Sequence, residues 1–141
     1  MTRIDFHTHV GIDAQRLNYA CRLARKVYAA GETLCVIADD DLLRAFDAQL
    51  WTFSALDFIP HCRAEDAHAT ATPIILGAHG VDASAQQILL NLGTEIPPDF
   101  VRFTRLLEVV GAEEAQLHAA RARYRFYRDR GYPIHMYQYS A

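Results

Sequence analysis

The chain has no run of the roughly eighteen apolar residues that a membrane span needs. No basic segment leads an apolar stretch near its start, so no signal peptide is expected either, and the protein is expected in the cytoplasm. It also lacks any close pair of cysteines. Cys21, Cys35 and Cys62 are odd in number, widely spaced and set in apolar surroundings, which predicts reduced, mostly buried thiols rather than a disulfide or a metal clamp. Excess positive charge is missing as well: the formal charge of −3 argues against general polyanion binding, which runs on clustered basic residues. Neither G-x-x-x-x-G-K-[ST] nor G-x-G-x-x-G occurs. No arrangement of Ser, Cys and His announces a nucleophile, and no cofactor is expected.

At 141 residues the chain, 1–141, reads as a single domain able to bury a real core. Arg3 to His9 reads as a strand with Ile4, Phe6 and Thr8 on one face. Asp13 is the expected cap of a helix whose apolar positions Leu17, Ala20, Cys21, Ala24, Val27 and Tyr28 follow helical spacing and which Gly31 closes. Thr33 to Ala38 is a near-continuous apolar run, the signature of a strand inside a parallel sheet. Asp39, Asp40 or Asp41 caps a second helix over Leu42 to Leu50, followed by a loop through Trp51, Phe53, Phe58, Ile59 and Pro60. Ala64 to Thr72 is a surface loop, and Pro73 to Gly77 and Gln87 to Leu92 are strands joined by a link from Ala78 to Gln86. Pro97 and Pro98 open a short helix carrying Phe100 and Phe103. Leu106 to Val110 is the last expected strand and Ala112 to Arg130 the last helix. Strands alternating with helices predict a single-domain, Rossmann-like, three-layer α/β fold, its mainly parallel sheet of about five strands covered on both faces.

Three constellations outside the last helix hold chemistry-bearing residues. His7 and His9 alternate at the end of the first strand and would share one face, the way metal-dependent hydrolases of barrel type begin. That architecture needs later strand-end ligands over about 250 residues, more than this chain has. Asp39-Asp40-Asp41 fits a helix cap and solvated surface better than a Mg²⁺ site. Trp51, Phe53, Phe58 and Ile59 fit two readings equally: an exposed anchor for a protein partner, or a roof over the core.

The C-terminal stretch is the most informative. Arg121, Arg123, Arg125, Arg128 and Arg130 interleave with Tyr124, Phe126, Tyr127 and Tyr132 around a helix stop at Gly131. From Ala112 to Ala141 five arginines face three acids, while the rest of the chain holds nine basic and fourteen acidic residues. On a helix, Arg121, Arg125 and Arg128 form one stripe with Tyr124 between them and Leu117 one to two turns earlier. Guanidinium groups take carboxylates bidentately and keep their charge, so this face suits a short acidic peptide with a bulky apolar end. An ordinary solvated face, with the rings turned inward, fits the same pattern.

Thr2-Arg3-Ile4-Asp5-Phe6, then Leu50-Trp51 followed by Phe58-Ile59-Pro60-His61, then Ile88-Leu89-Leu90-Asn91-Leu92, and finally Arg121 to Tyr132 together resemble the chi subunit family of bacterial DNA polymerase III holoenzyme. The resemblance covers nearly the whole chain. It implies a non-catalytic clamp loader accessory subunit of Rossmann-like fold. The implied partners are the psi subunit and the acidic, apolar-ended C-terminal tail of single-stranded-DNA-binding protein, with no direct contact to nucleic acid. It further implies a tail site of Arg121, Tyr124 and Arg125 supported by Val110, Leu117 and Arg128, and a face for psi or for an alternative partner holding Trp51 and Phe58. The rival expectations are a small metal-dependent hydrolase using His7 and His9, and a direct nucleic-acid-binding module using the arginine-rich helix.

Overall fold

The computed structural model describes residues 1–53, 58–78 and 86–138. In chain order the elements are β1 (Arg3–Thr8), α1 (Asp13–Ala29), β2 (Leu34–Ile37), α2 (Asp40–Thr52), β3 (His61–Arg63), β4 (Ile74–Gly77), β5 (Ile88–Asn91), β6 (Arg105–Val109), α3 (Glu114–Asp129) and β7 (Ile134–Gln138). The strands form one sheet of order β3-β4-β2-β5-β6-β1-β7, in which every neighbouring pair is parallel. Parallel strands need crossovers, and the three helices supply those from β1 to β2, from β2 to β3 and from β6 to β7.

The apolar pattern explains the layers. Along β2, Leu34 and Val36 join one core while Cys35 and Ile37 join the other, so a continuous apolar run is buried on both faces. The first core receives Leu17, Cys21 and Ala24 of α1 and Leu43, Phe46 and Leu50 of α2. The second receives Ile4 and Phe6 of β1, Phe100, Phe103, and Ala120 and Tyr127 of α3. Each Leu, Ile or Phe taken fully out of water contributes roughly 1.5–3 kcal/mol, which makes these two layers the main source of stability.

Helix ends follow local chemistry. Asp39 caps α2: its backbone is extended and its carboxylate accepts the Leu42 N–H at 2.9 Å. Gly31 and Gly131 stop α1 and α3 with φ of +76° and +80°, a conformation that favours glycine. In both cases the next residue's N–H turns back on the helix, Glu32 to Val27 and Tyr132 to Tyr127. The cap of α1 falls one residue earlier than Asp13, on Ile12, whose N–H donates to Gln15 Oε1 at 2.9 Å, so a side chain from within the first turn replaces the expected aspartate cap.

Two further expectations are corrected. The sheet has seven strands rather than about five, the missed ones being its two edges, β3 and β7. Pro97 and Pro98 precede only a single 3-10 turn, Phe100–Arg102, because Asp99 takes a left-handed backbone with φ of +59° and interrupts the entry to a longer helix. The expected link from Ala78 to Gln86 lies, over 79–85, outside the described residues. Among the described residues no helix is long and apolar enough to cross a membrane.

Candidate peptide-binding groove

Helix α3 is fixed to the sheet by a buried polar network. Glu108 on β6 is fully buried; its Oε2 accepts from Arg123 Nε at 3.1 Å and from Tyr127 Oη at 2.7 Å, and its Oε1 accepts from Asn91 Nδ2 at 2.9 Å. Arg123 also donates to the Thr94 carbonyl at 2.6 Å. Burial raises the Glu108 carboxyl above its ordinary value, against the pull of the Arg123 guanidinium and the three donors. Arg123 is therefore no part of the basic surface: it is 3 % exposed and serves as the counter-charge of a buried acid. Sequence spacing held a signal for this, since position 123 shares its helix face with Ala120 and Tyr127, both buried.

The remaining arginines of the stripe face outward. Arg121, Tyr124, Arg125 and Arg128 line a groove of about 650 Å³ together with Leu117 and Ala120 from α3, Phe6 and Thr8 from β1, His9, and Met136 and Gln138 from β7. Its floor is apolar at Phe6, Leu117, Ala120, Tyr124 and Met136 and polar at Thr8, His9 and Gln138. Tyr124 is half-buried and meets Phe6 edge-on with ring centroids 6.0 Å apart. The guanidinium of Arg128 lies 6.0 Å from the Tyr124 ring. Arg121 approaches Glu114 at 3.6 Å and Arg128 approaches Asp129 at 3.1 Å. All four groups are solvated, where such pairs contribute at most about 1 kcal/mol and exchange easily for an incoming carboxylate. Arg125 is exposed and makes no ion pair among the described residues. Val110 is fully buried and does not line the groove; it belongs to the core layer on which Leu117 and Tyr124 pack. The floor residues Thr8, His9, Met136 and Gln138 were missed from sequence, because β7 went unrecognised and His9 was read as part of β1.

That last misreading also undoes the shared histidine face. Strand β1 ends at Thr8, and His9 adopts φ of +60°, which breaks the alternation. His9 turns into the groove, whereas His7 lies on the opposite face, stacked on Tyr137 at 4.9 Å and hydrogen-bonded through Nδ1 to the Tyr19 hydroxyl. Burial pulls His7 down to about 4, so the ring is neutral at neutral pH. On the same face as His7, Asp5 is buried between Arg3, at 2.8 Å, and Arg105, at 2.9 Å. Burial pushes its carboxyl up, but the two guanidinium groups outweigh it and hold the carboxyl below its ordinary value.

The second aromatic cluster divides. Ile59 is core and Phe53 packs against it, but Trp51, at the end of α2 rather than in a loop, is 57 % exposed and Phe58 is 62 % exposed. Their ring centroids lie 5.3 Å apart, and Trp51 stands edge-on to His61 at 5.0 Å. His61 is held by the Ile59 carbonyl and by Asp47, each at 2.7 Å, so the exposed pair rests on a fixed base. A smaller hollow of about 370 Å³ lies beyond the carboxyl ends of β2 and β5, where open α/β sheets commonly take ligands. The adjacent start of α2 is already capped by Asp39 and followed by Asp40 and Asp41, which opposes an anionic ligand.

Comparison with known proteins agrees with the family resemblance of the sequence motifs. The family model described as DNA polymerase III chi subunit, HolC, matches residues 1–135. A Pseudomonas aeruginosa protein named DNA polymerase III subunit chi is 39% identical over 137 residues, covering 95% of this chain and 94% of its own length. Proteins of the same name from Haemophilus influenzae and Escherichia coli are 28% and 26% identical over 117 and 116 residues, covering 82% and 81% of this chain. With nearly its whole length matched, the chain belongs to the family of DNA polymerase III chi subunits, accessory subunits of the replication machinery.

Proposed function

We propose that the protein is a non-catalytic adaptor whose groove binds the acidic, apolar-ended C-terminal tail of single-stranded-DNA-binding protein. Its Trp51 and Phe58 surface docks the psi subunit of the clamp loader. The observation that carries the first half is a solvated row of Arg121, Arg125 and Arg128 above an apolar floor of Leu117, Tyr124 and Phe6. A peptide ending in an aromatic residue has a terminal carboxylate and a ring close together, and this pairing of guanidinium groups with apolar surface matches both. The second half rests on exposure: two large rings in contact, each more exposed than any other described aromatic, form the kind of anchor that partner subunits cover.

Titration calorimetry with a synthetic acidic tail peptide tests the groove. A hydrogen bond to a charged group contributes roughly 1.5–3 kcal/mol, so Arg121→Ala is expected to weaken binding about tenfold or more. Removing the peptide's final residue costs at least as much. Affinity falls with added salt, because screening at physiological ionic strength acts over about 8 Å. Unchanged affinity in folded Arg121→Ala and Tyr124→Ala variants would place the tail elsewhere.

A further inference from the structure

Among the described residues the groove has one wall, α3, and no opposite wall, because β7 is the last strand of the sheet. Helix α3 crosses from β6 to β7, and the floor beside it is built from Phe6 and Thr8 of β1 and Met136 and Gln138 of β7. A ligand too long for the groove leaves it over the free edge of the sheet. That edge has a defined hydrogen-bonding pattern. The Ile4 N–H donates to the Pro133 carbonyl at 2.9 Å, and Ile4 is registered with Ile134. In a parallel ladder this pattern directs the N–H and C=O groups of His135 and Tyr137 toward β1. Those of Ile134, Met136 and the N–H of Gln138 point away from the sheet. Among the described residues nothing pairs with them.

Proteins usually guard such an edge with lysine, proline, a bulge or a very short strand. Here the strand is five residues long, Ile-His-Met-Tyr-Gln, with no proline inside it and no lysine or acid. Its side chains are open to solvent: Met136 is 55 % exposed and Tyr137 43 %. No acid lies within β7 or between it and Asp129, so the strand, which carries no acid or lysine of its own, adjoins the arginine-lined groove of an otherwise acidic protein. Both the charge and the continuity with the arginine-lined groove select an acidic, extended peptide as occupant.

We propose that β7 is a docking edge, on which the acidic peptide held in the groove continues as an added strand paired with the outward backbone groups of Ile134, Met136 and Gln138. This rests on the reading of the groove as an acidic-peptide site. The peptide's end, with its ring and carboxylate, occupies the pocket at Tyr124 and Arg121, and its preceding residues give main-chain hydrogen bonds that are indifferent to their side chains. The arginines select the acids, and the edge supplies affinity that tolerates changes in the upstream sequence.

The test uses the full chain and two synthetic acidic peptides with the same aromatic C-terminus, one long enough to run the length of β7 and one cut to its last few residues. Met136→Ala removes the side chain and keeps the outward N–H, whereas Met136→Pro removes both and leaves the ladder to β1 intact, since proline is tolerated where the N–H faces solvent. The long peptide is expected to bind Met136→Pro at least about fivefold more weakly than Met136→Ala, while the short peptide binds the two variants alike. N-methylation of alternate upstream amides in the long peptide gives a similar loss with wild-type protein, and serves if Met136→Pro does not fold. Equal binding of the long peptide to both variants, or indifference to N-methylation, overturns the added strand. If Arg121→Ala still weakens binding in that case, the groove stands and only the strand falls. If Arg121→Ala has no effect, the groove reading fails and the strand with it. A dimer in sedimentation that the long peptide does not dissociate would give the edge to a second copy of the chain and also overturn the proposal.

Discussion

Replacing Arg123 by leucine should cost far more than replacing any other arginine of α3. Among the described residues Arg123 is the only cation hydrogen-bonded to Glu108, and with it gone the buried carboxylate keeps two neutral donors, Tyr127 and Asn91, while the Thr94 carbonyl loses its donor. Removing one partner of a buried ion pair typically costs about 3–5 kcal/mol. For a domain of this size, each kcal/mol lowers Tm by about 3 °C, so a drop on the order of 10–15 °C is expected by circular dichroism. The loss is also pH-dependent. Without Arg123, burial alone acts on Glu108, and its folded pKa rises further above its unfolded value of 4.5. The folded state then binds more protons than the unfolded state, so stability falls as pH rises from about 4.5 toward the folded value. The gap between wild type and variant is therefore smaller near about pH 5 than near about pH 8. Adding Glu108→Gln removes the stranded charge and should recover part of the loss. A Tm within about 2 °C of wild type, or a double variant no more stable than the single one, would refute the pairing.

Other outcomes follow from the same geometry. Arg121→Ala, two residues away but solvated, should change stability by no more than about 0.5 kcal/mol in urea titration, in contrast with Arg123→Leu. Phe58→Ala should weaken pairing with the psi subunit by about 2 kcal/mol or more while leaving tail-peptide binding nearly unchanged; joint loss of both with a lowered Tm would make the ring part of the core. His7 is pulled down to about 4 by burial, so below pH 6.5 the unfolded chain takes up a proton that the folded one refuses, and stability falls as pH drops from 6.5 toward 4. In His7→Gln that slope should flatten, as read from urea midpoints across the range. Asp39→Ala removes the cap of α2 and should cost about 1 kcal/mol without affecting either binding surface.

How much of this was readable in the chain depended on burial. Strand β2 and the glycine stops at Gly31 and Gly131 were legible because each has a local cause, an apolar run in one case and a positive φ in the others. Strand β3 escaped because three half-buried residues, His61–Arg63, leave no periodic trace. Strand β7 escaped because an edge strand open to solvent needs few apolar residues, and only Ile134 and Met136 mark its groove side. The stripe of Arg121, Tyr124, Arg125 and Arg128 was visible from helical spacing, and the structure brings these residues together with Leu117 at one groove. Arg123, outside that stripe, was counted with the basic helix all the same, since an arginine drawn into a core is explained by a distant acid, Glu108, which a pattern dominated by Leu106, Leu107, Val109 and Val110 conceals.

The anchoring of α3 has a consequence for how strongly the proposed peptide would be held. Arg123 and Tyr127 tie the helix to β6 through Glu108, and Arg123 also ties it to the turn at Thr94, so its outer residues stand at fixed heights above β1 and β7. A flexible partner segment gives up conformational freedom when it settles, and that loss is subtracted from whatever contacts it makes. Because the helix backbone is anchored in this way, the entropy of ordering falls mainly on the incoming segment and on the exposed arginine side chains. Loosening the interior through Glu108 would then weaken capture at the surface with no contact residue altered, which makes recognition by this helix as dependent on its hidden side as on the side that touches the partner.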